Sequence, residues 1–103
     1  MYFPRYPPAG GRKLYNNIMW FLYALYNPEA DKIYIGETSR LAERLEEHNK
    51  KNKYNFTTRT AGQWLLIYKE EVHDRKQALI REKQLKSFRG REFIRKQIKK
   101  VEN

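Results

Sequence analysis

Seven consecutive apolar and aromatic residues at positions 20–26 (WFLYALY) constrain the fold of this chain more than any other segment. Successive side chains of a strand point to opposite faces, so an unbroken apolar run predicts a β-strand that is buried on both faces. A chain of 103 residues can build one modest hydrophobic core and is too short for two. The segment therefore predicts the central part of a single domain.

Turn and cap signals predict the elements that follow this strand. Turn-forming residues at 27–32 lead into a short strand at 33–36, and the spacing favours a β-hairpin. Thr38 or Ser39 is a candidate N-cap for a helix that ends at His48. Asp74, with Gln77 three positions later, is typical of the start of another helix of about a dozen residues.

The remaining segments complete a predicted α+β fold. Residues 64–68 are predicted to form a third strand, which can extend to Val72. Gly90 is expected to interrupt the helix that begins after Asp74. The last helix is amphipathic, with core positions at Phe93, Ile94, Ile98 and Val101. The order ββαβαα predicts a small three-stranded antiparallel sheet flanked by helices, over residues 19–101. Residues 1–18, with three of the four prolines, are predicted to be an irregular arm.

Composition excludes several classes of protein. The chain has no cysteine, which excludes a disulfide scaffold or disulfide-linked partner, a cysteine-ligated zinc site and a thiol nucleophile. Two histidines are too few for a histidine-rich zinc site. No apolar run approaches the roughly 20 residues of a membrane span, and the N-terminus lacks a signal-peptide pattern. We therefore expect a cytoplasmic protein without a membrane anchor.

The net charge of +10 lies entirely after His48. Six basic and six acidic residues precede Asn49, whereas sixteen basic and six acidic residues follow His48. This asymmetry predicts a polyanionic partner, with nucleic acid first and an anionic membrane surface second. The loop at 49–62 combines aromatic and basic side chains, a composition used on single strands and flipped bases but shared by solvated flexible loops. Its basic and aromatic residues are Lys50, Lys51, Lys53, Tyr54, Phe56 and Arg59, and the last helix adds Arg91, Arg95, Lys96, Lys99 and Lys100.

Single residues leave their roles open on local pattern alone. Glu82 falls inside the apolar stripe of its helix, so it is paired with a basic residue, tilted out at the domain edge, or holding a cation. Arg44 and His48 share a helical face, as a surface pair or a helix C-terminus would also place them. Tyr23 and Tyr34 fit core or rim positions of adjacent strands.

Together these positions form a pattern: Leu22-Tyr23, then Tyr34-Ile35-Gly36, Arg44 ten residues after Tyr34, His48 four residues further, and Glu82 on a later helix. The pattern resembles the GIY-YIG nuclease domain, in particular small stand-alone members related to the N-terminal nuclease domain of the excinuclease that cuts damaged DNA. The resemblance covers about residues 20–98. It departs from the family in one place, because Phe21 replaces the first glycine.

The resemblance implies a role for each of these residues. Tyr34 would be the general base that activates water, aided by Tyr23, and Arg44 would bind the scissile phosphate. His48 would assist proton transfer or contact the phosphate. Glu82 would be the sole protein ligand of Mg²⁺ or Mn²⁺, an ion that needs only one or two carboxylates besides water and phosphate oxygens. Ser87 is a candidate for the polar residue that many members place after this glutamate.

The implied reaction is the metal-dependent endonucleolytic hydrolysis of DNA by in-line attack of water, leaving 5′-phosphate and 3′-hydroxyl ends, with a role in DNA repair. Single strands, branched DNA, damaged duplex and RNA are all open as substrates. The predicted nucleic-acid-binding residues are Lys50, Lys51, Lys53, Tyr54, Arg59, Arg91 and Arg95. One alternative is a catalytically weak, basic nucleic-acid-binding module on the same fold. Another is a membrane- or protein-binding adaptor that uses the last helix.

Overall fold

Seven elements make up the part of the chain that the computed structural model describes, residues 19–102. They are β1 (Trp20–Asn27), β2 (Lys32–Thr38), α1 (Leu41–His48), α2 (Phe56–Arg59), β3 (Leu65–Val72), α3 (Arg75–Leu85) and α4 (Phe88–Glu102). The order confirms the prediction ββαβαα with one addition, the single turn α2. The predicted arm at 1–18 and the side chain of Val101 lie outside the described residues.

The sheet confirms that the first strand is central and buried on both faces. Its order is β2-β1-β3, and β1 pairs antiparallel with both neighbours. Leu22 and Ala24 face one core, which α3 and α4 cover, whereas Tyr23 and Leu25 face a second core that includes Trp64. The α+β architecture predicted from the sequence is therefore present, and it places Tyr23 beneath α1.

Two local predictions about capping have different outcomes. Asp74 caps α3 as predicted, because its side chain accepts a hydrogen bond from the backbone N–H of Gln77 at 2.9 Å. The predicted cap of α1 is wrong. Thr38 belongs to β2, Arg40 occupies the N-cap position, and no side chain caps that helix. The Thr38 hydroxyl instead accepts from the backbone N–H of Arg40 at 2.9 Å, which closes the turn between β2 and α1.

The predicted break at Gly90 is also displaced. The interruption lies at Lys86 and Ser87, and Gly90 belongs to the first turn of α4. A Cβ atom at position 90 would lie 2.5 Å from the Cα atom and the carbonyl oxygen of Leu85. Gly90 is thus required because α4 begins directly against the backbone that ends α3, not because it breaks a helix. The strand boundary differs by one residue as well, since β3 begins at Leu65.

Gly90→Ala is expected to lower the free energy of unfolding by about 2–3 kcal/mol, because the added methyl group meets backbone atoms that no rotamer change can move away. Urea denaturation followed by circular dichroism measures this difference. Glu92→Ala, at an exposed position two residues along the same helix, is the control and is expected to change stability by less than about 0.5 kcal/mol. Equal stability of the two variants would contradict the close packing of α3 and α4.

Among the helices of residues 19–102, none is long and apolar enough to cross a membrane.

Candidate active site

Two neighbouring strands present Tyr23 and Tyr34 on the same face of the sheet. Tyr23 on β1 lies opposite Gly36 on β2, and Tyr34 precedes Gly36 by two residues. A Cβ atom at Gly36 would lie 2.9 Å from the Tyr23 hydroxyl and 2.9 Å from the Cε2 atom of Tyr34. The glycine of the Tyr-Ile-Gly sequence therefore leaves room for both rings to approach each other.

His48, in the last turn of α1, completes a cluster of three rings. The ring centroids are 6.1 Å apart between Tyr23 and Tyr34, 5.7 Å between Tyr23 and His48, and 4.7 Å between Tyr34 and His48. The His48 Nε2 atom lies 2.7 Å from the Tyr23 hydroxyl, and its Nδ1 atom lies 2.8 Å from the hydroxyl of Thr57. His48 is only 4% exposed, and both ring nitrogens have a partner.

Burial shapes the ionisation of this cluster. It lowers the pKa of His48 to about 4, and the positive charge of Arg44 acts in the same direction. Burial also raises the pKa of Tyr23 far above its usual value; the neighbouring Tyr34 adds to this effect and Arg44 opposes it. At neutral pH the pair of Tyr23 and His48 is therefore uncharged. Tyr23 stays protonated, which makes it poorly suited to act as a base.

The low pKa of His48 predicts acid sensitivity. The unfolded chain binds a proton near pH 6.5 and the folded protein only near pH 4, so stability falls as the pH falls between these values. The expected loss in the free energy of unfolding from pH 7 to pH 4 is about 2–3 kcal/mol. Urea denaturation at several pH values measures it. In His48→Gln this contribution is absent, and an unchanged acid slope in that variant would contradict the assignment.

Arg44 lies at the mouth of a cavity next to the ring cluster. Its Nη1 atom is 2.6 Å from the Oε1 atom of Glu47. The cavity, here called the loop cavity, has a volume of about 410 Å³. It is lined by Tyr34, Arg44, Glu47, His48, Lys50, Asn52, Tyr54, Asn55, Phe56, Thr57 and Thr58.

The basic loop at 49–62 is fastened to the domain at several points. The Asn49 side chain donates to the carbonyl oxygens of Leu45 and Trp64 and accepts from the backbone N–H of Trp64. The Lys51 ammonium donates to the carbonyl oxygens of Thr60 and Gly62. Lys51, predicted to bind nucleic acid, is therefore engaged in holding the loop.

The other predicted binding residues of the loop are exposed. Lys50 and Tyr54 line the loop cavity, and Tyr54 is 80% exposed. Lys53 and Arg59 point to the surface of the same segment. Thr57, which connects His48 to the loop, is not among the predicted site residues. The Asn-x-x-Thr sequence at 55–58, which forms the capping box of α2, is the signal that could have located this turn.

A second cavity lies on the other side of Tyr34. This basic cavity has a volume of about 380 Å³. It is lined by Asp31, Lys32, Ile33, Tyr34, Ile35, Lys86, Arg91 and Arg95. Arg95 pairs with Asp31 at 3.2 Å, and the Nε atom of Arg91 donates to the carbonyl oxygen of Lys86 at 3.1 Å. The two predicted binding residues of α4 therefore lie together beside Tyr34.

Glu82 approaches this region through an ion pair. Its Oε2 atom lies 2.6 Å from the Nζ atom of Lys86, and the side chains are 18% and 50% exposed. Of the three alternatives for Glu82, pairing with a basic residue is the one observed. Tyr23, Tyr34 and His48 are thus joined by direct contacts, and Arg44 lines the loop cavity together with Tyr34 and His48. Glu82 is connected to them through Lys86, which shares the basic cavity with Tyr34.

The candidate ligand for a divalent ion is a single carboxylate, that of Glu82. Carboxylate oxygens suit a hard divalent ion, but the Oε2 atom of Glu82 is paired with the Lys86 ammonium in this structure. Residues 19–100 contain no group of three or more histidine, cysteine, aspartate or glutamate side chains that could hold a metal. Water and phosphate oxygens would have to supply the other ligands, as Mg²⁺ usually requires. The hydroxyl of Ser87 donates to the carbonyl oxygen of Gln84 at 2.6 Å and accepts from the backbone N–H of Gly90, so it is bonded within the turn between α3 and α4.

The fold and this tyrosine, arginine and histidine cluster are those of a small α+β nuclease domain. The family model of the GIY-YIG catalytic domain matches residues 19–95, and the chain belongs to this family. It is similar to the UPF0213 protein DP2720 of Desulfotalea psychrophila (strain LSv54 / DSM 12343), with 34% identity over 79 residues, 74% of this chain and 71% of that protein. No solved structure matches the chain at a significant level. The family implies a nuclease that acts on nucleic acid and generally depends on a metal.

Proposed function

We propose that this protein is a metal-dependent DNA endonuclease that hydrolyses phosphodiester bonds at Tyr34. One observation carries the proposal: Tyr34 lines both cavities, with Arg44 in one and Lys86, the partner of Glu82, in the other. A phosphodiester at Tyr34 would therefore have a guanidinium on one side and a carboxylate that accepts a cation near the other.

In the proposed mechanism, Tyr34 takes the proton of the attacking water on its phenolic oxygen. Arg44 lines the same cavity as Tyr34, where its positive charge would attract the phosphate. The planar guanidinium of Arg44 would bind two oxygens of the scissile phosphate. A divalent ion on Glu82 would stabilise the negative charge that develops on the leaving oxygen.

Tyr23 and His48 support this chemistry as positioning residues. Their rings are joined by a 2.7 Å hydrogen bond, and Thr57 fixes the other side of the imidazole. A neutral, buried histidine whose two nitrogens are occupied is poorly placed to contact a phosphate. This positioning role differs from the proton transfer or phosphate contact that the resemblance implies for His48. It is consistent with the packing of the His48 ring against the Tyr34 ring, at a centroid distance of 4.7 Å.

The charge distribution supports a nucleic acid as the substrate. Lys50 lines the loop cavity, the exposed Lys53 and Arg59 belong to the same loop, and Arg91 and Arg95 line the basic cavity. Contacts of this kind reach the sugar-phosphate backbone and carry no direct sequence information. Cytoplasmic DNA repair, as implied by the resemblance to the excinuclease domain, is part of this proposal.

A basic nucleic-acid-binding module without strong catalysis is the second candidate function. The observation that favours it is that both charged groups of the site already have a partner within the protein. Arg44 is paired with Glu47 at 2.6 Å, and Glu82 is paired with Lys86 at 2.6 Å. A binding module needs no rearrangement of these pairs, whereas a nuclease must open both of them for substrate and metal.

A substrate panel tests the proposed function. The wild-type protein is incubated with single-stranded, duplex and branched DNA and with RNA, in Mg²⁺ or Mn²⁺ and in EDTA, and the product ends are analysed. We expect metal-dependent cleavage of DNA that leaves 5′-phosphate and 3′-hydroxyl ends. Cleavage that continues in EDTA, or binding of every substrate without cleavage, would overturn the proposal, and the second of these results is the one expected of a binding module.

A further inference from the structure

Lys86 lies between the two charged parts of the site. It follows α3 as its C-cap residue, and its side chain lines the basic cavity together with Tyr34, Arg91 and Arg95. Its ammonium is also paired with Glu82, one helical turn earlier on α3. The same side chain therefore touches the candidate metal ligand and the cavity in which a phosphate would lie.

A divalent ion on the Glu82 carboxylate would lie within a few ångströms of the Lys86 ammonium, which is paired with the Oε2 atom of the same group. The two cations would repel each other, in a place where the Glu82 side chain is only 18% exposed. Lys86 and a metal ion therefore compete for this group. The competition has a moderate strength, because the ammonium end is half exposed and ion pairs of that kind are weak.

The basic cavity offers the Lys86 ammonium a second position, away from Glu82. The Nε atom of Arg91 donates to the Lys86 carbonyl oxygen at 3.1 Å, which fixes its backbone against the first turn of α4. With its backbone held in place, the flexible four-carbon side chain of Lys86 can change rotamer so that the ammonium points into the basic cavity. A phosphate bound beside Arg91 and Arg95 would attract the ammonium there.

We propose that Lys86 is a positioning residue that couples metal binding to substrate binding, and this inference rests on the proposed function. Without substrate, Lys86 occupies the cation position on Glu82 and weakens metal binding. With a nucleic-acid phosphate in the basic cavity, the ammonium moves to that phosphate and leaves the carboxylate to the metal. Metal and nucleic acid then increase each other's affinity, as linkage requires.

Mn²⁺ binding to the free protein, measured by electron paramagnetic resonance without nucleic acid, tests this proposal. Lys86→Met is expected to bind Mn²⁺ about two- to five-fold more tightly than wild type, the factor that corresponds to a partly exposed ion pair. Lys83→Met is the matched control, since it removes an exposed lysine of the same helix and the same unit of charge. We expect the control to bind Mn²⁺ as wild type does.

A second measurement tests the contact with substrate. The affinity for a DNA strand is measured in Ca²⁺ over a range of salt concentrations, and the salt slope of Lys86→Met is expected to be smaller than that of wild type by roughly 0.7–0.9. Lys86→Gln, which keeps a polar side chain, replaces the methionine variant if circular dichroism shows a loss of helix. Unchanged Mn²⁺ affinity in the folded variant overturns the coupling proposal. Wild-type Mn²⁺ affinity in Glu82→Gln overturns the proposed metal ligand instead, so the two failures are distinguishable.

Discussion

Tyr34→Phe is expected to reduce the single-turnover rate of DNA cleavage by about 10²–10⁴-fold, the usual contribution of a general base. The variant loses only the phenolic oxygen, and the ring that packs against His48 at a centroid distance of 4.7 Å remains. The fold and the DNA affinity are therefore expected to be unchanged, within about two-fold for binding. Quenched reactions with excess protein over labelled DNA measure the rate directly.

The control for this variant is Tyr68→Phe. Tyr68 is a half-buried tyrosine on the opposite edge strand, β3, where its hydroxyl donates to Glu70 at 2.8 Å. Tyr68→Phe also loses a phenolic oxygen, but at a position outside the candidate site. Its cleavage rate is expected to equal that of wild type. A Tyr34→Phe rate within about three-fold of wild type would contradict the role of Tyr34 as the base.

Arg44→Lys is expected to reduce cleavage by about 10²–10³-fold, although the charge is kept. Lysine offers a point charge where the reaction needs a planar pair of donors on the phosphate. It also loses the 2.6 Å pair of the guanidinium with Glu47. Since the substitution keeps the net charge at +10, long-range attraction of DNA is unaltered, and the loss is expected in the rate rather than in DNA affinity.

Arg40→Lys provides the comparison for this second variant. Arg40 lies at the start of the same helix and is 62% exposed, and its ion pair with Glu43 resembles the pair of Arg44 with Glu47. We expect wild-type rates for it. If both lysine variants cleave DNA at the wild-type rate, Arg44 does not bind the scissile phosphate and the loop cavity is not the phosphate site.

Much of the fold follows from the apolar run at 20–26. An unbroken run of that kind has few alternatives to a strand between two cores, and the structure divides it as expected, with Leu22 and Ala24 on one side and Tyr23 and Leu25 on the other. Capping by Asp74 is a local interaction and was predictable. The need for Gly90 was not, because it depends on how closely two helices approach, which local sequence does not encode.

The members of the candidate site could be predicted from the sequence, but their connections could not. The resemblance to the family grouped Tyr34, Arg44 and His48, and the structure brings these three together with Tyr23. Two things depended on tertiary contacts: the bond of His48 to Thr57 on a distant turn, and the pairing of Lys51 with carbonyl oxygens of its own loop. A charge count treats every lysine alike. It could therefore not predict that the exposed Lys51 side chain donates hydrogen bonds to two carbonyl oxygens of its own loop.

The net charge predicts that the protein binds a polyanion, whereas the proposal of cleavage depends on the arrangement of a few residues. The sixteen basic residues after His48 predict affinity for a polyanion whichever candidate function is correct. Only the nuclease proposal requires Glu82, because a binding module keeps that carboxylate paired with Lys86. Both functions therefore predict that Glu82→Gln keeps its DNA affinity, and only the nuclease proposal predicts a loss of cleavage.

Cleavage by Glu82→Gln and by wild type, on the same DNA in Mg²⁺ with excess protein, is the most direct test. DNA affinity is measured in parallel. The account predicts a loss in rate of about 10³-fold or more, which corresponds to the several kcal/mol that a metal ion supplies, with DNA affinity unchanged within about two-fold. Equal cleavage rates in the two proteins would contradict the metal-dependent site.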